Sequence, residues 1–133
     1  MGKDKDIRLS DVQAAVMRVL WTEKKATTAA VHERMGKPRD LAYTTVATLL
    51  ARLEKRGLVK SQKDGRERVF EPLVSEADVK RHMVSDLVSK LFRGDPRALV
   101  SHLVKDSEFD AADLETVRRM LGEEFENRGQ DND

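Results

Sequence analysis

The sequence predicts a mainly α-helical protein with one small β-hairpin in its N-terminal half. Apolar residues recur at helical spacing over most of the 133 residues, which is typical of amphipathic helices. Residues 58–70 instead read as two short strands around an Asp-Gly pair, the pattern of a hairpin. No apolar run reaches the roughly 18 residues that span a bilayer, and there is no signal-peptide core. We therefore expect no membrane insertion and a soluble, cytoplasmic protein.

The first helix is predicted to begin after an N-cap at Ser10 and to end at Trp21, which should close the core. Its inward-facing residues are Val12, Ala15, Val16, Val19 and Leu20. A short second helix, capped by Thr27 or Thr28, should end at Gly36. Its inward-facing residues are Ala30, Val31 and Met35.

A third helix is predicted after a turn at residues 36–40. Apolar residues at i, i+3, i+4 and i+7 mark its buried face, namely Val46, Leu49, Leu50 and Leu53. Gly57 is its natural C-terminal stop. Strands 58–62 and 66–70 then flank a Lys63-Asp64-Gly65 turn. Two helices joined by a turn and followed by a hairpin form a winged helix-turn-helix, which indicates DNA binding through the third helix.

The face of the third helix opposite its apolar stripe carries hydroxyl and small side chains. Small residues let a helix approach the floor of a major groove, and threonines bond base edges or touch thymine methyl groups. The candidates for base contact are Tyr43, Thr44 and Thr48. The candidates for phosphate contact are Arg39, Arg52, Lys55, Lys63, Arg66 and Arg68. For each threonine taken alone, capping or plain surface exposure is an equally good interpretation, and Thr45 has the second helix as an alternative neighbour.

The distribution of charge supports a basic binding surface although the net charge is only +1. Ten Lys or Arg stand against four acidic residues between Arg34 and Arg68. From Ser107 to Asp133, nine acidic residues stand against three arginines. Such asymmetry favours one nucleic-acid-binding part and one solvating or partner-facing part.

Residues 75–125 carry three apolar stripes, which in a monomer would pack on one another. Three helices with few aromatic residues make a thin core, whereas exchange between two chains buries more area. We therefore predict a homodimer, with a DNA-binding domain at 1–73, helical dimerisation domain at 74–126 and disordered tail at 127–133. The predicted dimer contacts are Val79, Met83, Val84, Leu87, Val88, Leu91, Leu99, Leu103, Leu114, Val117 and Leu121.

Several segments resemble one known family. The run LAYTTVATLLARLEKRGLV at 41–59 resembles the recognition helix and first wing strand of the penicillinase-repressor family of bacterial transcription regulators, the BlaI/MecI type. VMRVLW at 16–21 resembles the first-helix signature of that family, and LFRGD, ALV and LETVRRML, at 91–95, 98–100 and 114–121, follow its C-terminal helices in order. The resemblance implies a homodimeric repressor that binds a pseudo-palindromic operator in double-stranded DNA and is released by an upstream signal.

Two departures from the family limit what the resemblance implies. In the family, a membrane-sensor protease releases the operator by cutting an Asn-Phe bond, and the corresponding residues here are His102-Leu103. The scissile dipeptide is therefore missing, which puts the same induction in doubt. The copper-responsive branch carries Cys-x-Cys pairs near its C-terminus, whereas this chain has no cysteine. Thiolate-based copper sensing is excluded.

An enzymatic function and a cofactor are not expected. The histidines His32, His82 and His102 are far apart in sequence, and there is neither a Gly-rich phosphate loop nor a nucleophile elbow. Two alternatives to an operator-binding repressor stay open. One is a winged-helix regulator of another group that senses a small molecule, and the other is a winged-helix protein-interaction module, which would need an exposed apolar face on the third helix.

Overall fold

The computed structural model describes residues 7–106 and 110–131, without the side chains of 121 and 123–131. Its helices are α1 (Asp11–Glu23), α2 (Thr28–Val31), α3 (Tyr43–Lys55), α4 (Glu76–Leu91), α5 (Pro96–Asp106) and α6 (Ala111–Asp131). Its strands are β1 (Ala26–Thr27), β2 (Val59–Asp64) and β3 (Glu67–Pro72). The predicted mainly α class with a β-hairpin is confirmed.

Helix α1 begins with a reciprocal capping box. The Ser10 hydroxyl accepts a hydrogen bond from the Gln13 amide at 3.2 Å, and the Gln13 side chain accepts one from the Ser10 amide at 3.0 Å. Two of the amides left unpaired at a helix start are thereby satisfied. The N-cap at Ser10 is as predicted. The buried face is wider than predicted, because Met17 is fully buried together with Ala15, Val16, Val19 and Leu20.

The first helix of the helix-turn-helix does not stop at Gly36. Thr27 caps α2 by accepting a hydrogen bond from the Ala30 amide at 3.1 Å. After four α-helical residues the chain widens into a π-helical turn, His32–Gly36, and then narrows into a 3₁₀ turn, Lys37–Arg39. Asp40, with a left-handed backbone (φ 57°), ends the helical winding. Pro38 is compatible with the 3₁₀ turn because it lies in that turn's first residues, where a missing amide costs little.

Helix α3 has the predicted bounds and stripe. Val46, Leu50 and Leu53 are buried, and Leu49 is partly buried against the same core. Gly57 (φ 80°) terminates the helix. Its amide donates to the Glu54 carbonyl at 2.9 Å and the next amide, of Leu58, donates to the Leu53 carbonyl at 3.0 Å, which is a Schellman motif.

The sheet has three antiparallel strands in the order β1-β3-β2. The hairpin is longer than predicted, since β2 and β3 pair as far as Asp64 and Glu67 and leave a two-residue loop, Gly65-Arg66. Gly65 alone of the two has a positive φ (68°), which is typical of a type II′ turn. Strand β1 was not predicted. Its two residues pair with Val69 and Phe70 of β3.

Contacts divide the chain into two compact units, Met1–Asp86 and Leu87–Asp133. The division falls inside α4, later than the boundary predicted after residue 73, because Val79 of α4 is only 4% exposed and belongs to the N-terminal core. In the second unit α6 continues to Asp131, whereas a disordered tail is predicted at 127–133. Residues 132 and 133 of that tail lie outside the described residues. Gly122 is tolerated inside this helix at a cost of about 1 kcal/mol relative to alanine. None of the described helices is long and apolar enough to cross a membrane.

Candidate nucleic-acid interface

The exposed face of α3 presents the side chains predicted to read bases. Tyr43 is 50% exposed, and Thr44 and Thr48 are exposed beside it on successive turns. Thr45 is exposed as well, and is not turned into the core. Tyr43 is the one large apolar side chain exposed on this helix, all of whose residues are described. The face therefore offers hydroxyl groups and one aromatic ring, and lacks the apolar surface that a protein-docking helix needs.

The start of α3 is held by a side chain from the preceding helical segment. The Nε2 atom of His32 lies 2.9 Å from the carbonyl oxygen of Leu41. The His32 ring also meets the Tyr43 ring edge-on, with centroids 5.7 Å apart and planes at 75°. Ala42, the N-cap residue, supplies no side-chain hydrogen bond to the helix. The sequence carries no simple signal for this role of His32, because its partner Leu41 lies nine residues further along the chain.

The six predicted phosphate-contacting cations are all exposed but fall into two groups. Within residues 7–106 and 110–131, the side chains of four have no hydrogen bond or ion pair, namely Arg52, Lys55, Lys63 and Arg66. The other two are bound to their own chain. Arg39 donates to the Met35 carbonyl at 3.1 Å, and Arg68 donates to the Ser61 hydroxyl at 2.9 Å.

A short hydrogen-bonded chain fixes the base of the wing against α3. The Ser61 hydroxyl on β2 donates to the Glu54 carboxylate of α3 at 2.8 Å, and the Arg68 guanidinium of β3 donates to the same hydroxyl. The positive charge of Arg68 is thus tied through Ser61 to a carboxylate. Arg66, at the tip of the wing, is outside this chain of bonds.

Two other basic residues in the same stretch serve the fold. Arg56, at the C-cap of α3, donates to the Gln13 side chain at 3.3 Å and to the Arg8 carbonyl at 2.6 Å. Lys37 forms an ion pair of 2.8 Å with Glu33, and its hydrogen bond and charge hold the pKa of the Glu33 carboxyl below its usual range. The local excess of positive charge therefore overstates the charge that is available to a ligand.

Comparison with known proteins identifies the family. The model of the family described as Penicillinase repressor matches residues 9–123. The chain belongs to the penicillinase repressor family. It is 38% identical over 118 residues to the transcriptional regulator BlaI of Mycobacterium tuberculosis (strain H37Rv), covering 87% of this chain and 84% of that protein. It is 26% identical over 118 residues to the methicillin resistance regulatory protein MecI of Staphylococcus aureus (strain N315), covering 89% and 96%.

The DNA-binding part of this repressor also has a solved counterpart. The solution structure of the DNA-binding domain of the repressor BlaI matches with a TM-score of 0.50 and 32% identity, covering 59% of this chain and 93% of that domain. The winged-helix class is thereby confirmed. The repressor is a DNA-binding transcription regulator, and the expectation that it is not an enzyme agrees with a family of repressors.

The residues predicted for dimer contact differ in accessibility in the repressor. The ones with more than a third of their surface exposed are Met83, Val84, Leu87, Leu91, Leu103, Leu114 and Val117. Leu99 is half-buried. Val79 and Val88 are buried within their own chain and have little surface left for a partner. The side chain of Leu121 lies outside the described residues.

Proposed function

We propose that this repressor acts in the cytoplasm as a homodimer on a pseudo-palindromic operator in double-stranded DNA. Each protomer inserts α3 into the major groove and lays its wing on the flanking backbone. The observation that carries the proposal is the surface of α3 and the wing, where exposed hydroxyl groups stand beside four cations without protein partners in the described chain. Duplex DNA has a partner for each group, because base edges in the major groove bind hydroxyl groups and the phosphates beside the groove bind cations.

Base contact is assigned to Tyr43, Thr44 and Thr48. All three are exposed and lie in the N-terminal half of α3. In helix-turn-helix proteins the N-terminal residues of the recognition helix contact base edges. Exposed Ala51 and half-buried Ala47 are small enough to let this helix approach the bases closely.

Phosphate contact is assigned first to Arg52, Lys55, Lys63 and Arg66. Because these side chains have no protein partner to give up among the described residues, binding DNA costs them only hydration and side-chain entropy. Arg39 and Arg68 keep their internal hydrogen bonds and contribute from more constrained positions. Each neutralised phosphate releases counterions, so affinity falls steeply with salt.

Dimerisation is assigned to the exposed apolar side chains of α4, α5 and α6. Val84, Leu87 and Leu91 recur at helical spacing along α4 and are 50%, 38% and 67% exposed. Several exposed apolar side chains on one helix face are typical of a surface that a partner covers. A second copy of the chain supplies the same side chains, which is what an isologous two-fold interface requires. The symmetry would then set two copies of α3 about one DNA turn, or a multiple of it, apart.

The family resemblance implies a membrane-sensor protease as the releasing partner. The residues at the corresponding positions, His102-Leu103, are exposed on α5, where His102 forms an ion pair of 3.1 Å with Asp106 when protonated. A protease that releases this repressor at that point must therefore accept a His-Leu bond within a helix in place of Asn-Phe.

Fluorescence-anisotropy titration tests the operator assignment. The purified protein is titrated against labelled DNA from the region flanking its own gene and against a shuffled duplex of equal composition, over a salt series. We expect tight binding to the native duplex alone, with two protomers per site and a steep salt slope. Equal weak binding to both duplexes, and to sites selected from random DNA, would contradict the proposal.

Sedimentation tests the dimer assignment. Leu87→Asp places a charge among the exposed apolar residues of α4, and we expect it to yield monomers that bind operator weakly. Ser89→Asp is the matched control, since it adds the same charge at an exposed polar position on α4. A dimer that persists in Leu87→Asp would move the interface elsewhere.

A further inference from the structure

The first turn of α3 lacks the support that helix starts usually have. Its N-cap residue is Ala42, which offers no side-chain acceptor to the free amides of the turn. Alanine is among the weaker N-cap residues, and replacing a good cap by alanine costs about 1 kcal/mol. The one backbone bond that closes this turn from the cap runs from the Val46 amide to the Ala42 carbonyl at 3.1 Å. A helix that begins in this way should fray at its first turn.

His32 meets this turn from the other helix of the motif. A carbonyl oxygen only accepts hydrogen bonds, so the 2.9 Å contact to Leu41 requires the proton on Nε2 of His32. Leu41 is the residue before the cap, and Tyr43, whose ring lies against the imidazole, is the first residue of α3. One side chain thus contacts the residues on both sides of Ala42.

The backbone around His32 is shaped to admit its ring. A Cβ atom on Gly36 would lie 2.5 Å from Cδ2 of His32 and 2.9 Å from Cγ2 of Val46. Gly36 has a negative φ of −77°, so conformational freedom does not explain a glycine there. Glycine is needed here because the His32 ring and the Val46 side chain lie too close to the backbone to leave room for a Cβ atom. In addition, the Leu41 amide donates to the Gly36 carbonyl at 2.9 Å, which keeps the residue before the cap next to the imidazole.

We propose that His32 is a positioning residue for operator recognition. It compensates for the missing side-chain cap by holding Leu41 and Tyr43 on the two sides of Ala42, and so aligns the first turn of α3 and the Tyr43 ring with the bases. The consequence for DNA binding rests on the proposed function, whereas the consequence for the helix start does not.

The DNA-free test uses Tyr43, the single tyrosine in the chain. His32→Leu removes the imidazole from the edge of the Tyr43 ring, and should therefore shift the Tyr43 ring resonances in NMR spectra and speed exchange of the Val46 amide by about fivefold or more. His102→Gln, in the other unit, is the control and should change neither.

Two further variants separate the hydrogen bond from simple filling of space. His32→Gln keeps an N–H donor at a similar reach, and we expect it to restore protection of the Val46 amide. His32→Asn is polar but too short to reach Leu41, and should behave like His32→Leu. Unchanged Val46 exchange in both the leucine and asparagine variants would overturn the proposal, whatever the DNA experiments show.

The DNA test compares operator with shuffled duplex. His32→Leu should weaken operator binding about tenfold, the effect of losing one partly buried hydrogen bond and the order that it gives to the first turn of α3, and leave non-specific binding unchanged. In a Tyr43→Ala background the same change should cost less than about twofold, because the two residues act as a unit. Equal losses on both duplexes, or additive effects, would overturn the role in recognition. A wild-type protein that fails to prefer any operator would instead refute the proposed function and leave the amide-exchange result to decide the role of His32.

Discussion

The indole nitrogen of Trp21 donates a hydrogen bond of 2.9 Å to the carbonyl oxygen of Val74, 53 residues further along the chain. The bond joins the end of α1 to the segment that leads from the wing into α4. Both residues are partly buried against the N-terminal core. The single tryptophan of the chain therefore closes the core, as its position in the sequence predicts. It also donates a hydrogen bond to the partly buried carbonyl of Val74.

Trp21→Phe should lower the free energy of unfolding by about 1–2 kcal/mol, because the carbonyl of Val74 loses its donor and part of the aromatic contact is lost as well. Urea denaturation followed by circular dichroism measures the change, since the variant has no tryptophan fluorescence. Trp21→Phe with wild-type stability would show that water replaces the indole donor at no cost.

Gly36→Ala should destabilise the protein by about 1–3 kcal/mol, because the new methyl group overlaps the His32 ring and the Val46 side chain. Gly122→Ala is the matched control. A Cβ at that helical position meets no atom within 4 Å, so the substitution should be neutral or stabilising. Thermal unfolding of both variants makes the comparison. Similar melting temperatures for the two would mean that the turn at Gly36 relaxes freely.

Arg66→Ala should reduce the slope of log K against log salt by about 0.9, the value for one phosphate contact on duplex DNA. Arg68→Ala should reduce the slope by less and also loosen the wing, because Arg68 is bound to Ser61. Arg81→Ala removes an exposed arginine that pairs with Asp78 on α4, and should leave the slope unchanged. The measurement is the anisotropy salt series on operator DNA. An unchanged slope in Arg66→Ala would remove the tip of the wing from the contact surface.

The Glu33–Lys37 pair predicts a small pH dependence of stability. Its lowered carboxyl pKa means that the native state favours the ionised form, so the pair contributes above the ordinary pKa of glutamate and loses that contribution as pH falls through the lowered pKa. Wild type should therefore exceed Glu33→Gln slightly in urea midpoint near neutral pH, with the difference vanishing in acid. Because the carboxylate is exposed to solvent, the gap should be small and shrink in high salt. In a Lys37→Ala background the difference should shrink, because Lys37 is the main cause of the lowered Glu33 pKa.

The elements that sequence predicts well here are those determined by local chemistry. The N-cap at Ser10, the stripe from Val46 to Leu53 and the stop at Gly57 each depend on residues within one helix. Strand β1 could not be predicted in this way, because two residues form a strand only when β3 lies beside them. The burial of Val79 likewise depends on the packing of α4 on the N-terminal core.

The same difference between local and tertiary determinants applies to the candidate site. Helical periodicity was enough to identify the exposed side of α3, with Tyr43, Thr44 and Thr48 upon it. Helical periodicity does not show which cations are available to a ligand. Strand pairing brings Arg68 to Ser61, and tertiary packing brings Arg56 to the segment before α1. The contact of His32 with Leu41 depends on the π-helical turn, for which sequence carries no simple signal.

Thr27 belongs to two elements at once. Its backbone pairs with Val69 in the sheet, and its hydroxyl caps α2. The strand that carries the wing and the helix that supports α3 are therefore joined through a single residue, which fixes the spacing between α3 and the wing. Such preorganisation reduces the ordering cost of binding. If α3 and the wing contact DNA as we propose, operators whose groove width does not match this spacing must be bent or compressed to fit, and the stiffness of the DNA then contributes to the choice of site.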